Sequence, residues 1–368
     1  MEKKTISKLV KPTINEIAKY IPGDSSIDGK KNVIKLSSNE SPFKIPKKIY
    51  SLAKNLITET NLYPDGNSSI LKKSLSENYK INYDQIICGN GSDDILSIIA
   101  QAFSDSNSEV ICSQYGFIYY PIVAKISGAK VVTAKTEKMT ISCNNIIKSI
   151  TKKTKIIFFA NPNNPTGTVI FKKELISFLS AVPKNIIVVL DGAYSEFIRH
   201  QSYSDGLDLV RKFPNLIITR TFSKIFALAG LRLGWAYSSR HIIEILEKVR
   251  GPFNVNLIAQ KIGSLILKEK EFLNKSILHN LKWQKKLPNF VDSIGLKGHA
   301  TFANFILIEV KDTKKKKIEI LSKLLKNKII VRDLESYGLK NYFRVSIGTN
   351  SQMNLFMKIL KNVMMNIK

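Results

Sequence analysis

Hydrophobic positions along the chain fall into short β-branched runs separated by longer amphipathic stretches. The runs are IIC at 86–88, VIC at 110–112, VVT at 131–133, KIIFFA at 155–160, IIVVL at 186–190, LIIT at 216–219 and LGWAY at 233–237. Strand-like and helical segments that alternate in this way predict an α/β fold with a mostly parallel sheet, seven-stranded by this count and flanked by helices. IIFFA and IIVVL are apolar throughout, as strands covered on both faces are. Beyond about residue 250 the texture changes to long lysine-rich helical stretches, then a strand-like FANFILIEV, a closing FRVSIG and a final helix. A smaller C-terminal α+β domain is expected there. The first 30 or so residues, with Pro12, Pro22 and Gly23 and few apolar clusters, read as an arm ending in a turn. The expected organisation is therefore an N-terminal arm over 1–35, a large domain over 36–250 and a small domain over 251–368.

A chain of 368 residues with 44% hydrophobic residues can bury a sizeable core, which excludes a peptide-sized binding module. Cys88, Cys112 and Cys143 have neither metal-type spacing nor the density of a disulfide framework, so packing thiols, no metal site and a reducing compartment are expected. The opening MEKKTISKLV lacks the apolar stretch of a signal peptide, and no apolar run approaches the roughly 20 residues of a membrane span. A cytoplasmic protein without a membrane partner is expected. The formal charge of +28 raises the possibility of a basic nucleic-acid-binding protein. The lysines are spread along the chain, however, and even the run Lys314 to Lys317 has no interleaved aromatic residues. A solvated basic surface that draws in small anions accounts for them, with no nucleic-acid partner.

Three unusual segments each follow directly on a predicted strand: NPNNPTG at 161–167, DGAY at 191–194 and TFSK at 221–224. The carboxyl ends of parallel strands face the ligand crevice, so all three converge. Around Lys224, the hydroxyls of Thr221 and Ser223 and the guanidinium of Arg232 can surround one phosphate and one aldehyde. A desolvated lysine with cationic neighbours loses its proton readily, as Schiff-base formation requires. Asp191 is placed to keep a pyridine nitrogen protonated, while Tyr194 and Asn164 can hydrogen-bond a ring hydroxyl. The loop Gly89 to Asp93 opens a helix, so Gly91, Ser92 and Asp93 can bring backbone N–H groups to a phosphate. Tyr115 offers an aromatic face for a cofactor ring. The plain alternatives are a surface lysine, a turn-capping aspartate, a rigid Pro/Gly turn and a packing tyrosine.

Taken together, NPNNPTG, DGAYSEF, TFSKIFALAGLRLGW and YFRVSIGT resemble the fold-type I pyridoxal-phosphate aminotransferases, and most of all the histidinol-phosphate aminotransferase family, from about Tyr20 to the C-terminus. The resemblance implies pyridoxal 5'-phosphate as cofactor, with Lys224 as the Schiff-base lysine and proton carrier, Asp191 on the pyridine nitrogen, and Tyr194 and Asn164 on the ring hydroxyl. It also implies a homodimer with composite sites, in which Tyr63 of NLYPDG reaches the neighbouring subunit's cofactor phosphate. Arg344 would bind the carboxylate of glutamate, Arg332 the substrate phosphate together with Tyr20, and Asn39 would belong to a segment that closes over the substrate. Two departures stand out. Most relatives carry Asp-Glu-Ala-Tyr where this chain has Gly192 in second place, and commonly Asn-Glu-Asn-Pro where it has Ser41 in third. The activity implied is amino transfer between glutamate/2-oxoglutarate and a small phosphorylated substrate, histidinol phosphate and imidazole-acetol phosphate being the expected pair. The alternatives keep the cofactor: a transaminase of another phospho-ketone, such as dihydroxyacetone phosphate to serinol phosphate, or a decarboxylase of phosphoserine or phosphothreonine.

Overall fold

A computed structural model describes residues 9–19, 33–311 and 314–367. In chain order the strands are β1 (Ile34–Leu36), β2 (Ile86–Gly89), β3 (Glu109–Ser113), β4 (Lys130–Ala134), β5 (Thr154–Ala160), β6 (Ile187–Asp191), β7 (Leu216–Thr221), β8 (Gly234–Tyr237), β9 (Lys297–His299), β10 (Phe305–Glu309), β11 (Ile329–Asp333) and β12 (Tyr342–Ser346). The helices are α1 (Lys47–Leu56), α2 (Ser69–Tyr79), α3 (Ser92–Phe103), α4 (Tyr119–Ser127), α5 (Cys143–Lys148), α6 (Lys172–Ala181), α7 (Arg240–Val249), α8 (Leu257–Ile266), α9 (Lys270–Ser293), α10 (Lys314–Lys326) and α11 (Asn350–Met365).

Seven strands pair in the order β2-β8-β7-β6-β5-β3-β4. Only β8 runs against its neighbours β2 and β7; the pairs from β7 through β4 are parallel. Side chains alternate between faces along a strand, and both faces are apolar here. Ile157, Phe159, Val188, Leu190 and Ile218 join one buried cluster with α2, α6 and α8. Their neighbours Ile156, Phe158, Val189 and Ile217 join a second with α3, α4 and α7. This two-sided burial is why IIFFA and IIVVL show no polar alternation.

A second sheet has the order β1-β11-β12-β10-β9. Its first strand comes from before the large sheet, pairing Ile34 to Leu36 in parallel with Ile329 to Val331. Packing changes later than the expected division at residue 250. Ala259, Ile262 and Ile266 of α8, and Phe272 and Ile277 of α9, still pack on the large sheet, whereas Trp283, Leu287 and Val291 further along α9 pack with the second. The long helix thus ties the two cores together. Among the described residues no helix is long and apolar enough to cross a membrane.

Phe356 on α11 is fully buried in the second core. Phe356→Ala is expected to lower the unfolding free energy by about 3–5 kcal/mol, measured by urea denaturation; a loss under about 1 kcal/mol would show that α11 is not an integral part of that core.

Candidate active site

Parallel pairing sets Ala160 beside Asp191 and Asp191 beside Thr219, so β5 and β6 end level with one another and β7 runs two residues further, to Thr221. The loops that leave these ends carry Asn164, Tyr194 and Lys224 to one cavity of about 280 Å³. Ser92, Asp93, Thr221, Ser223 and Arg232 also line it, as do Asn39, Arg332 and Arg344 from the side of the second sheet.

The amine of Lys224 donates to the Ser38 carbonyl at 3.2 Å and lies 5.9 Å from the centre of the Tyr194 ring. Burial of the ammonium, reinforced by the charge of Arg344, lowers its pKa to about 8. Asp191 lies deeper. Burial raises its carboxyl to about 6, although Tyr120 donates its hydroxyl to Oδ2 at 2.8 Å and the Ala193 N–H reaches Oδ1 at 3.1 Å. The hydroxyl of Tyr194 accepts from Nδ2 of Asn39 at 2.9 Å, and Asn39 is itself fixed through Ser346. Arg344 donates to Asn164 Oδ1 and, at 2.9 Å, to the Ser37 carbonyl, with its guanidinium 5.1 Å from the centre of the Phe305 ring. Arg332 is its cross-strand neighbour on β11.

At the N-terminus of α3 the backbone turns through Gly91 at φ +91°, in the left-handed region that favours glycine. A Cβ there would lie 2.6 Å from Nη2 of Arg232. The guanidinium therefore lies over the loop in the space that a side chain at residue 91 would take. Arg232 also reaches Asp93 at 3.3 Å and Ser223 Oγ at 3.4 Å. Backbone N–H groups at a helix start, two hydroxyls and a guanidinium form an anion cradle.

The family model for aminotransferase class I and II matches residues 31–360. A histidinol-phosphate aminotransferase of Pelagibacter ubique (strain HTCC1062) is 39% identical over 349 residues, which is 95% of this chain and 97% of that relative. The chain belongs to the class I and II aminotransferases. A second relative, histidinol-phosphate aminotransferase 1 of Idiomarina loihiensis (strain ATCC BAA-735 / DSM 15497 / L2-TR), is 36% identical over 97% of this chain and 98% of its own. In fold, the chain is similar to the crystal structure of histidinol-phosphate aminotransferase from Sinorhizobium meliloti in complex with pyridoxal-5'-phosphate, at TM-score 0.89 and 21% identity over 98% of both chains.

This aminotransferase is pyridoxal-phosphate-dependent, as its family is, and the residues present fit the cofactor. The cradle at Gly91 accepts a phosphate, Lys224 offers an amine with a lowered pKa, and Asp191 offers a buried carboxyl. Tyr115, expected to face the cofactor ring, is placed differently from that expectation. It adopts φ +54° and packs with Leu334, Leu339 and Tyr342 instead of lining the cavity. Phe117, two residues on, presents an aromatic side chain there, beside Tyr120, Tyr194 and Tyr337. Tyr63 is also outside the aminotransferase's own cavity, 82% exposed and stacked on Phe253 at 4.7 Å. Tyr20 lies outside the described residues. The sequence reading missed Tyr120, a fully buried tyrosine stacked on Phe158 at 5.4 Å, because nothing local distinguishes it from a core residue.

Only a neutral amine attacks an aldehyde. Capture of pyridoxal phosphate by the cofactor-free aminotransferase is expected to accelerate as pH rises through about 8, the pKa to which burial lowers Lys224. Stopped-flow absorbance between roughly pH 6.5 and 9.5 brackets that value and follows the rate; a pH-independent rate would contradict the assignment.

Proposed function

We propose that the enzyme transfers an amino group between glutamate and imidazole-acetol phosphate, giving 2-oxoglutarate and histidinol phosphate. The observation that carries this reading is the cross-strand pair of Arg332 and Arg344, both at the wall of the cavity that holds Lys224. These two guanidiniums belong to the second sheet and are separate from the cofactor cradle at Arg232. Each has the planar fork that suits a carboxylate or a phosphate. The names of the Pelagibacter and Idiomarina relatives support histidinol phosphate over other phosphates.

Pyridoxal phosphate, when bound, supplies an electron sink that stabilises negative charge at the substrate α-carbon. Lys224, with its lowered pKa, would be the group that holds and moves the proton at the substrate α-carbon. Asp191 keeps the pyridine nitrogen protonated, with Tyr120 and the Ala193 N–H orienting its carboxyl. Tyr194 and Asn164 would hold the ring hydroxyl, and Phe117 would offer its face to the ring. Gly91, Ser92, Asp93, Thr221, Ser223 and Arg232 form the phosphate site, with Asp93 directing Arg232. Arg344 takes the glutamate carboxylate, while Arg332 and Tyr20 take the substrate phosphate. Asn39 couples the segment after β1 to Tyr194. Most of the 251–368 region, from the middle of α9 onward, acts as the smaller, substrate-facing domain, and β1 adds a strand to its sheet.

A substrate panel tests the reading. With 2-oxoglutarate as acceptor, histidinol phosphate is expected to exceed serinol phosphate in kcat/KM by at least about tenfold. Arg332→Ala should raise KM for the phosphate while sparing glutamate, and Arg344→Ala should do the reverse, each by roughly 30-fold or more. Equal use of serinol phosphate, or release of carbon dioxide from phosphoserine or phosphothreonine, would overturn it.

The exposed Tyr63 supports a homodimer with composite sites. Lys224→Ala and Tyr63→Ala are each expected to impair activity, yet co-refolded mixtures should recover about a quarter of wild-type sites, because each hybrid dimer contains one intact site. No recovery in a mixture whose hybrids are verified by mass would contradict this reading.

A further inference from the structure

Arg220 is an arginine inside a strand that is buried along its whole length, and its own side chain is 1% exposed. It lies between Thr219 and Thr221 in sequence, so it points to the opposite face of β7 from them. Nothing in the site described above uses it. Its guanidinium donates to the Gly192 carbonyl at 3.3 Å and pairs with Asp205 at 2.8 Å and Glu196 at 3.5 Å. It also reaches the Asp205 carbonyl at 3.4 Å. One rigid fork therefore joins the turn after β6 to the loop that leads into β7.

Gly192 separates the two residues that face the cofactor ring in the reading above, Asp191 and Tyr194. A Cβ at 192 would lie 3.1 Å from both Cζ and Nε of Arg220 and 2.7 Å from Ser195 Oγ. The guanidinium thus lies against the bare backbone of this turn. The same set continues to the other cavity wall, because Ser195 Oγ meets the Tyr203 hydroxyl at 2.8 Å, which in turn donates to the Asn161 carbonyl at 2.8 Å. Asn161 opens the loop that carries Asn164.

Burying a guanidinium carries a large desolvation cost, and such networks are weak evidence for stability. Geometry is what the fork supplies. We infer that Arg220 is a positioning residue, which holds the 191–194 turn through Gly192 so that Asp191 and Tyr194 keep a fixed spacing against the cofactor ring. The substitution of glycine for the family's usual glutamate at 192 leaves Glu196 and Asp205 as the counter-charges. This inference rests on Asp191 and Tyr194 contacting the ring.

The test uses the holoenzyme with pyridoxal phosphate bound. Arg220→Lys keeps the charge but loses the fork, whereas Gly192→Ala keeps every charge and presses a methyl group against the guanidinium and Ser195 Oγ. In both, the pH midpoint of the cofactor's visible absorption should shift measurably and cofactor release should quicken about tenfold, while the melting midpoint of the cofactor-free protein stays within a few degrees of the parent. Unchanged absorption and release in both variants would overturn the inference. So would losses that track the melting midpoint alone, since that is a merely structural role. Asp191→Asn is the control: if it leaves the absorption unchanged, the assignment of the ring contacts fails, and Arg220's role with it. If it shifts the absorption while both other variants do not, only the Arg220 inference falls.

Discussion

The parallel register of β5, β6 and β7 is the constraint on which the site depends. Ala160, Asp191 and Thr219 are successive partners across three strands, and no loop between them can slip without breaking a ladder of backbone bonds. A one-residue slip would turn Asp191 to the other face of the sheet. The apolar residues on both faces prevent that, because the same slip would exchange every pair such as Ile157 and Phe158 between two packed clusters. Core packing and site geometry are thus a single requirement.

Upon that frame the site adds charges with shared supports. Asn39 ties Ser346 of the second sheet to Tyr194 of the large one, and Arg344 ties Ser37 to Asn164. Burial changes the behaviour of the ionisable groups in opposite directions. It pushes the Lys224 ammonium down to about 8 and the Asp191 carboxyl up to about 6, favouring the neutral form of each. A protonated ring nitrogen beside Asp191 reverses the balance there, since an opposite charge restores the carboxylate.

The parts legible in the sequence are those whose cause is local. NPNNPTG, DGAY and TFSK each follow an apolar run, and strand ends meet at one crevice by a general rule of parallel sheets. The large sheet was legible for the same reason. The short β1 and β9, with three residues each, carry too little pattern to stand out, and IIVRD of β11 was noticed for its arginine and not as a strand. Tyr120 is 71 residues from Asp191 and reads as a packing residue until the two are seen bonded. Proximity to a strand end does not give orientation: Tyr115 has a positive φ and packs toward the second sheet, while Phe117 lines the cavity. Arg220 looked like any other cation in a chain of charge +28, and only the fold reveals that it is internal.

The cross-strand pair Arg332 and Arg344 explains why the class of substrate is easier to read than its identity. Directly opposed residues on an antiparallel pair share a face, and like charges there repel. Lys224 feels the same field, since Arg344 helps to lower its pKa. An anion bound at either guanidinium lowers the positive field that both create, while a neutral ketone leaves it in place. At an effective dielectric near 20, unit charges about 4 Å apart interact by at most about 4 kcal/mol, enough for close to a thousandfold preference. Discrimination by the shape of an apolar or aromatic substituent is worth about 1–3 kcal/mol. In the roles proposed for them, the two arginines with a fixed strand register supply the larger energy, and contacts distributed around the pocket the smaller. On that proposal charge selects anionic substrates as a class, and the fit of the remaining group ranks them within it.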